Sequence, residues 1–352
     1  MQYKELTIEK FRGIEKLIIT DLKPVNLLVG RNNCGKTTVL EALFLLSGMS
    51  NPQLVVNIHH FRDLLITNDE SFSYLFLDMD FDNQITITGQ LDNTARKLMI
   101  KPRYTDDKAP NVIKDKPITT HDTISSSSTM VRLVEGLNFE FQTGRNRQFI
   151  TAQISLKEKR VTLKKDYKET LRCSFTNPKT AMLQIEERMQ GLLVQKRLDR
   201  LISVLKGIEP EISDIRMGAA GMIFVDIGKE KLLPLNILGD GIRRLLALLA
   251  TIADMKNGVV LVDEIDNGLH YSSLAVLWKA VFAACKEYNV QLIATTHSYE
   301  CIEAFSTAYG LFAPQGDDIR LFRIDRHENQ HQAYTYNAEI LKAGIEKKFE
   351  VR

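Results

Sequence analysis

No stretch of this chain approaches eighteen consecutive apolar residues, so a transmembrane helix is not expected. The first residues, Met-Gln-Tyr-Lys-Glu-Leu, lack the basic and apolar regions of a secretory signal. Cysteine is scarce: Cys34, Cys173, Cys285 and Cys301 stand far apart, with no CxxC pair and no zinc-ligand spacing. Free thiols in a reducing cytoplasm are the expectation. Charge of one sign is missing too. A net charge of +2 gives no global argument for a nucleic-acid or membrane partner. What remains is ample: 352 residues with 44% hydrophobic content can build one large or two ordinary cored domains.

Against that background one segment stands out, Gly30-Arg-Asn-Asn-Cys-Gly-Lys-Thr37. It reads GxxxxGK[ST] between a short strand-like run, Val25–Val29, and an apolar helix-like run, Thr38–Leu46. That context predicts a phosphate-binding loop. Backbone amides around Gly30, Asn32, Asn33 and Gly35, and those opening the helix at Lys36, Thr37 and Thr38, would cradle phosphates at the helix's positive end. Lys36 would reach the β- and γ-oxygens and the Thr37 hydroxyl would ligate Mg²⁺, so ATP and Mg²⁺ are the expected ligands.

The second half of such a site is expected at Val259-Val-Leu-Val-Asp-Glu264, four apolar residues ending in two acids. Ligands of α/β sheets bind where parallel strands end, which is where these acids emerge. Asp263 would hold Mg²⁺ and Glu264 would orient or deprotonate water. The next apolar strand, Val290–Ala294, runs into Thr295-Thr-His-Ser298, and His297 there would hydrogen-bond the γ-phosphate. Leu238-Gly-Asp-Gly-Ile-Arg-Arg244 opens a helix whose glycines, Gly239 and Gly241, would expose amides to an anion. Asp240 is read as its N-cap.

Organisation along the chain follows hydrophobic period. Strands are expected at 6–11, 16–20, 72–77, 84–88 and 148–154, and a surface loop at Thr105–Thr129 with its Ser125–Ser128 tract. Helical stripes follow: Met182, Ile185, Met189 and Leu192, then Val194, Leu198, Leu201 and Leu205, offset near Gly191. From Leu238 helix and strand alternate, as a parallel sheet requires, with helices over Ile242–Ala253 and Tyr271–Tyr288. The chain ends in two strands, Ile319–Asp325 and Gln332–Tyr336, and a helix, Glu339–Lys348. The expected class is α/β with three parts. These are an N-terminal ATP-binding lobe with a β-rich insertion (1–165), a helical and connecting insertion (166–236) and a C-terminal parallel-sheet lobe (237–352).

The order of these motifs resembles the ATP-binding-cassette class of P-loop NTPase heads. Arg12 in Lys10-Phe-Arg-Gly13 and the Asn32-Asn33 pair are similar to the SMC/RecF/OLD branch, whose arginine lies near the nucleotide. Glu264-Ile-Asp-Asn-Gly-Leu-His270 resembles the OLD-like form of this segment. The resemblance covers 1–50 and 236–310; the middle is only compatible with it. It implies a homodimer or higher oligomer, two heads packed head to tail with each signature helix closing on the partner's ATP. Gly239, Asp240 and Gly241 match the signature positions that would contact the partner's ATP. Gly239 replaces the signature serine, so a hydroxyl contact is lost while amides remain, and Arg243 and Arg244 would add positive charge. No glutamine between the loop helix and the signature, Gln84 included, stands out from its neighbours. Only 55 residues follow His297, too few for the TOPRIM nuclease that OLD-like chains often carry.

The resemblance further implies a cytoplasmic, stand-alone OLD-like AAA ATPase gating a separate nuclease or TOPRIM-like effector, as in anti-phage systems such as PARIS or Septu. A DNA-repair or chromosome-associated ATPase is the second reading, holding DNA through Arg145–Arg147 and Lys157–Lys168. The third is an ATP-gated scaffold with incidental turnover.

Overall fold

A computed structural model describes residues 1–104, 134–144, 150–155, 160–163, 167–206, 210–218, 221–313, 316–328 and 330–347. The segments read as a surface loop (105–129) and as a basic run (145–147) lie outside them, as does half of 157–168.

The organising element is a six-stranded sheet. In chain order its strands are β3 (Val25–Val29), β9 (Cys173–Thr176), β13 (Val259–Val262), β14 (Gln291–Thr295), β15 (Ile319–His327) and β16 (Gln330–Tyr336). Their spatial order is β16-β15-β3-β14-β13-β9. All neighbours run parallel except the β15–β16 hairpin. Parallel strands covered on both faces read as unbroken apolar runs, and Val25–Val29 and Val259–Val262 are buried at every position. Side chains alternate between two cores. Leu27, Val29, Val260, Leu292 and Leu321 face one; Leu28, Leu261, Ile293 and Phe322 face the other.

The first core is closed by helices α3 (Ile185–Val194), α4 (Leu198–Lys206), α5 (Asp240–Asp254), α6 (Leu274–Tyr288) and α7 (Tyr299–Phe312). The second holds α1 (Lys36–Ser47), buried on nearly every side, and α2 (Gln53–His60). It is closed by a seven-stranded antiparallel sheet. That sheet comprises β1 (Tyr3–Phe11), β2 (Ile14–Thr20), β4 (Ile85–Leu91), β5 (Thr94–Tyr104), β6 (Val134–Thr143), β7 (Ile150–Ser155) and β8 (Arg160–Leu163), ordered β2-β1-β4-β5-β6-β7-β8. The buried Gln291 amide joins the two sheets: its oxygen accepts from Tyr3 N at 2.7 Å and its nitrogen donates to Tyr3 O at 2.8 Å. A small sheet of β10 (Asp214–Met217), β11 (Ile223–Asp226) and β12 (Leu233–Pro234) precedes α5, and α8 (Ala338–Glu346) follows β16.

Three local expectations need correction. Residues 72–77 form no strand; a 3₁₀ turn spans Asp69–Leu75, because the Asn68 side chain accepts from Ser71 N and starts a turn. Only Phe76 bridges to Phe11. Val194 leaves its stripe, 76% exposed, because the chain breaks between α3 and α4 there rather than at Gly191. The N-cap of α5 is Gly239, and Asp240 is its first helical residue. Inside the segment read as helical and connecting, β9 supplies the edge strand of the parallel sheet. All four cysteines are free.

Candidate functional site

The loop between β3 and α1 requires glycine where the motif has it. A Cβ on Gly30, at φ +139°, would lie 2.3 Å from Ile324 O and 2.8 Å from Cys34 Sγ. Gly35 caps α1 at φ 98°, another left-handed position. The loop therefore wraps tightly enough for Lys36, only 5% exposed, to donate to Gly30 O at 2.8 Å and Arg31 O at 3.0 Å. Burial holds the Lys36 pKa below its ordinary value, opposed by Cys34, Asp263 and Glu264. Burial also raises the pKa of the Cys34 thiol, which keeps it neutral inside the loop.

Above the loop opens a cleft of about 730 Å³, enough for a nucleotide. Asn32, Asn33, Gly35, Lys36, Thr37 and Thr38 line it, and Arg12, Glu264 and His297 face it from other elements. Gly30 does not line it; its carbonyl is committed to Lys36. Asp263 stands behind Thr37, whose hydroxyl donates to Asp263 Oδ2 at 2.9 Å. A hydroxyl and a carboxylate this close suit Mg²⁺, a hard cation that takes few protein oxygens and keeps water and phosphate as its other ligands. Among the described residues no group of three or more His, Cys, Asp or Glu could hold a metal by itself.

Sheet order brings the acids and the histidine together. β14 lies between β3 and β13, so Thr295–His297 emerge between the loop and Asp263–Glu264. Thr295 Oγ1 donates to Asp263 Oδ1 at 2.6 Å and accepts from Glu264 N at 2.8 Å. Glu264 adopts a left-handed φ of 52°. Asn267 Nδ2 donates to Glu264 Oε2 at 3.2 Å. Burial, and next the Lys36 charge, lowers the His297 pKa below its ordinary value, which favours the neutral imidazole.

Arg12 reaches the cleft wall at φ 52°, but its guanidinium is shared with a carboxylate that sequence reading passed over. Glu41, fully buried on α1, meets Arg12 Nε at 2.7 Å and Arg62 Nε at 2.6 Å. Arg62 also donates to Thr38 Oγ1 at 3.2 Å and lines the cleft. The missed signal was a glutamate inside an apolar helical run, which needs a cation when buried. Arg326 and His331, from the β15–β16 hairpin, complete the wall and had no sequence signal.

The signature residues stand elsewhere. Gly239 and Asp240 are exposed, Gly241 is half-buried, and none of the three lines the cleft of its own chain. Arg243 pairs with Asp240 at 3.1 Å, and Arg244 donates to Asn267 O and Oδ1 at 3.0 and 3.1 Å. Arg243 thus has its charge paired within its own chain, whereas Arg244 is held by a neutral partner and keeps its charge. Gln84 borders a separate groove.

The AAA ATPase domain model matches residues 1–186, more than half of the chain. A second AAA domain model, whose description names the AbiEii toxin of a type IV TA system, matches 186–303. An ATP/GTP phosphatase of Helicobacter pylori is 26% identical over 337 residues, spanning 85% of this chain and 86% of that protein. The DNA replication and repair protein RecF of Trichlorobacter lovleyi is 31% identical over 109 residues, 31% of this chain and 27% of that protein. An SMC head solved with the C-terminal winged-helix domain of ScpA superposes with a TM-score of 0.52 at 12% identity, covering 97% of this chain and 99% of that one. The shared architecture is that of the ABC-type P-loop head. The chain belongs to the AAA ATPase domain family and is an ATP-hydrolysing enzyme with an SMC-head-like fold.

Proposed function

We propose that the cleft binds ATP with its phosphates along Asn32–Thr38 and that Glu264 drives hydrolysis. The convergence of Lys36, Thr37, Glu264 and His297 on one cleft carries this reading. Loop amides and Lys36 hold the β- and γ-phosphates, replacing the carbonyls that Lys36 now contacts. Thr37 and Asp263 would hold Mg²⁺, which neutralises charge on the phosphates. A Glu264 carboxylate oxygen accepts a proton from the attacking water, and the neutral His297 donates a hydrogen bond toward the γ-phosphate. Arg12 and Arg62, oriented by Glu41, add positive charge along one wall.

The position of Gly239–Gly241 away from their own cleft, with Gly239 and Asp240 exposed, supports a second copy completing each site. Nucleotide would then close a head-to-tail dimer and hydrolysis would open it, gating an effector on another polypeptide. A toxin or nuclease as that effector rests on the resemblance to OLD-like defence ATPases.

Glu264→Gln tests the chemistry. It should lower phosphate release by roughly 10²–10⁴-fold while binding of a fluorescent ATP analogue persists. Turnover at the wild-type rate would remove Glu264 from the mechanism.

A further inference from the structure

Glu264 occupies a backbone conformation that its own strand does not supply. β13 is extended through Val262, and two residues later φ is 52°, a left-handed value that non-glycine residues keep only where their surroundings impose it. The surroundings can be named. The amide of Asp263 donates to Thr176 O on β9 at 2.8 Å. The amide of Glu264 donates to the Thr295 hydroxyl at 2.8 Å, and that of Ile265 to the Thr295 carbonyl at 3.0 Å. The same hydroxyl donates to Asp263 Oδ1 at 2.6 Å. One residue, 1% exposed at the end of the central strand β14, therefore fixes the backbone of one acid and the carboxylate of the other.

We infer that Thr295 is a positioning residue for hydrolysis, acting through Glu264 and Asp263; the inference rests on the role proposed for Glu264. The hydroxyl is the part of Thr295 that does this. Its oxygen is the acceptor for the Glu264 amide, which holds that residue in the left-handed turn and carries its side chain out of the sheet toward the cleft. Its hydrogen orients the Asp263 carboxylate toward Thr37, whose hydroxyl lies 2.9 Å from Oδ2 and 3.2 Å from Oδ1. Thr295 touches no reacting atom. A valine in its place keeps the branched shape and the strand pairing but leaves the part-buried Glu264 amide without its acceptor.

Thr295→Val and Thr295→Ser separate shape from hydroxyl. In steady-state ATPase assays Thr295→Val should lose about 10–100-fold in kcat, the scale expected for a slightly displaced catalytic group. The affinity for a fluorescent ATP analogue without Mg²⁺ should stay within about threefold, because the loop amides and Lys36 are untouched. Thr295→Ser should return kcat to within about threefold of wild type. Hydrogen exchange of the Glu264 amide, followed in nucleotide-free protein, should accelerate in the valine variant and not in the serine variant. A valine variant with near-wild-type kcat overturns the inference, as does a serine variant as slow as valine. If valine prevents folding, Thr295→Ala against Thr295→Ser makes the same comparison. Glu264→Gln run alongside distinguishes the two levels. Wild-type turnover there overturns the role of Glu264 and the inference with it, whereas a slow Glu264→Gln beside a fast Thr295→Val overturns the role of Thr295 alone.

Discussion

His59 is fully buried on α2, with Nδ1 2.7 Å from Val55 O. A carbonyl only accepts, so Nδ1 carries the hydrogen and Nε2 is left as the basic atom, among the Phe72 and Tyr74 rings. Burial first, and then the nearby Arg12 and Arg62 charges, push its pKa down to about 4. The unfolded chain takes up this proton near pH 6.5 and the folded chain only near 4, so below pH 6.5 protons favour unfolding. This histidine should cost the fold nothing above pH 6.5 and about 3 kcal/mol by pH 4. In urea unfolding, the stability gap between wild type and His59→Gln should narrow across that window; a constant gap would refute the assignment. Single residues were legible in the sequence when a motif named them, as with Lys36, Asp263 and Glu264. Glu41 and Arg62 were not, because their link at 2.6 Å joins positions 21 apart whose meeting depends on how α2 leaves α1.

Elements were legible where period and length agreed. The strands entering the loop and the acids, and the helices after them, follow directly from apolar runs. Partner choice was not legible: no local pattern tells β3 to pair with β14 and β15, and β9 is too short to announce itself. The same holds for contacts that end a helix. The last carbonyls of α1 need donors, and Arg96 on β5 provides them, to Leu46 O at 3.0 Å and Ser47 O at 3.3 Å. Its guanidinium, with the side chain 4% exposed, is balanced by Glu169 at 2.6 Å, shortly before β9. Arg96 thereby fastens the far end of the phosphate-loop helix to both sheets. Arg96→Ala should lose about 3–5 kcal/mol in urea unfolding, since Glu169 is left uncompensated in a half-buried site. Glu169→Gln and the double variant complete a cycle in which a coupling of about 1–3 kcal/mol is expected. Additive losses would mean that the two side chains act separately.

At the scale of the whole molecule, the two halves of the proposed site lie in different places on one chain, and in the proposed dimer the association of two chains joins them. The phosphate loop, acids and histidine sit at the strand ends, while Gly239–Gly241 sit at the start of α5, outside that cleft. Gly241 offers a way to separate folding from association. A Cβ there would meet only Leu269 Cδ2, at an ordinary 3.5 Å, and the residue does not need a left-handed backbone. Glutamate in the first turn of a helix also suits the helix dipole. Gly241→Glu should therefore fold normally and bind a fluorescent ATP analogue within about threefold of wild type. In the proposed dimer, though, the new carboxylate would face the partner's nucleotide, where like charges in a desolvated interface oppose closure by several kcal/mol. Light scattering on the Glu264→Gln protein should show twice the monomer mass with Mg²⁺ and ATP, and monomer once Gly241→Glu is added. A dimer that survives Gly241→Glu would place the contact elsewhere on the surface. A Glu264→Gln protein that stays monomeric with ATP would mean that the site is complete within one chain.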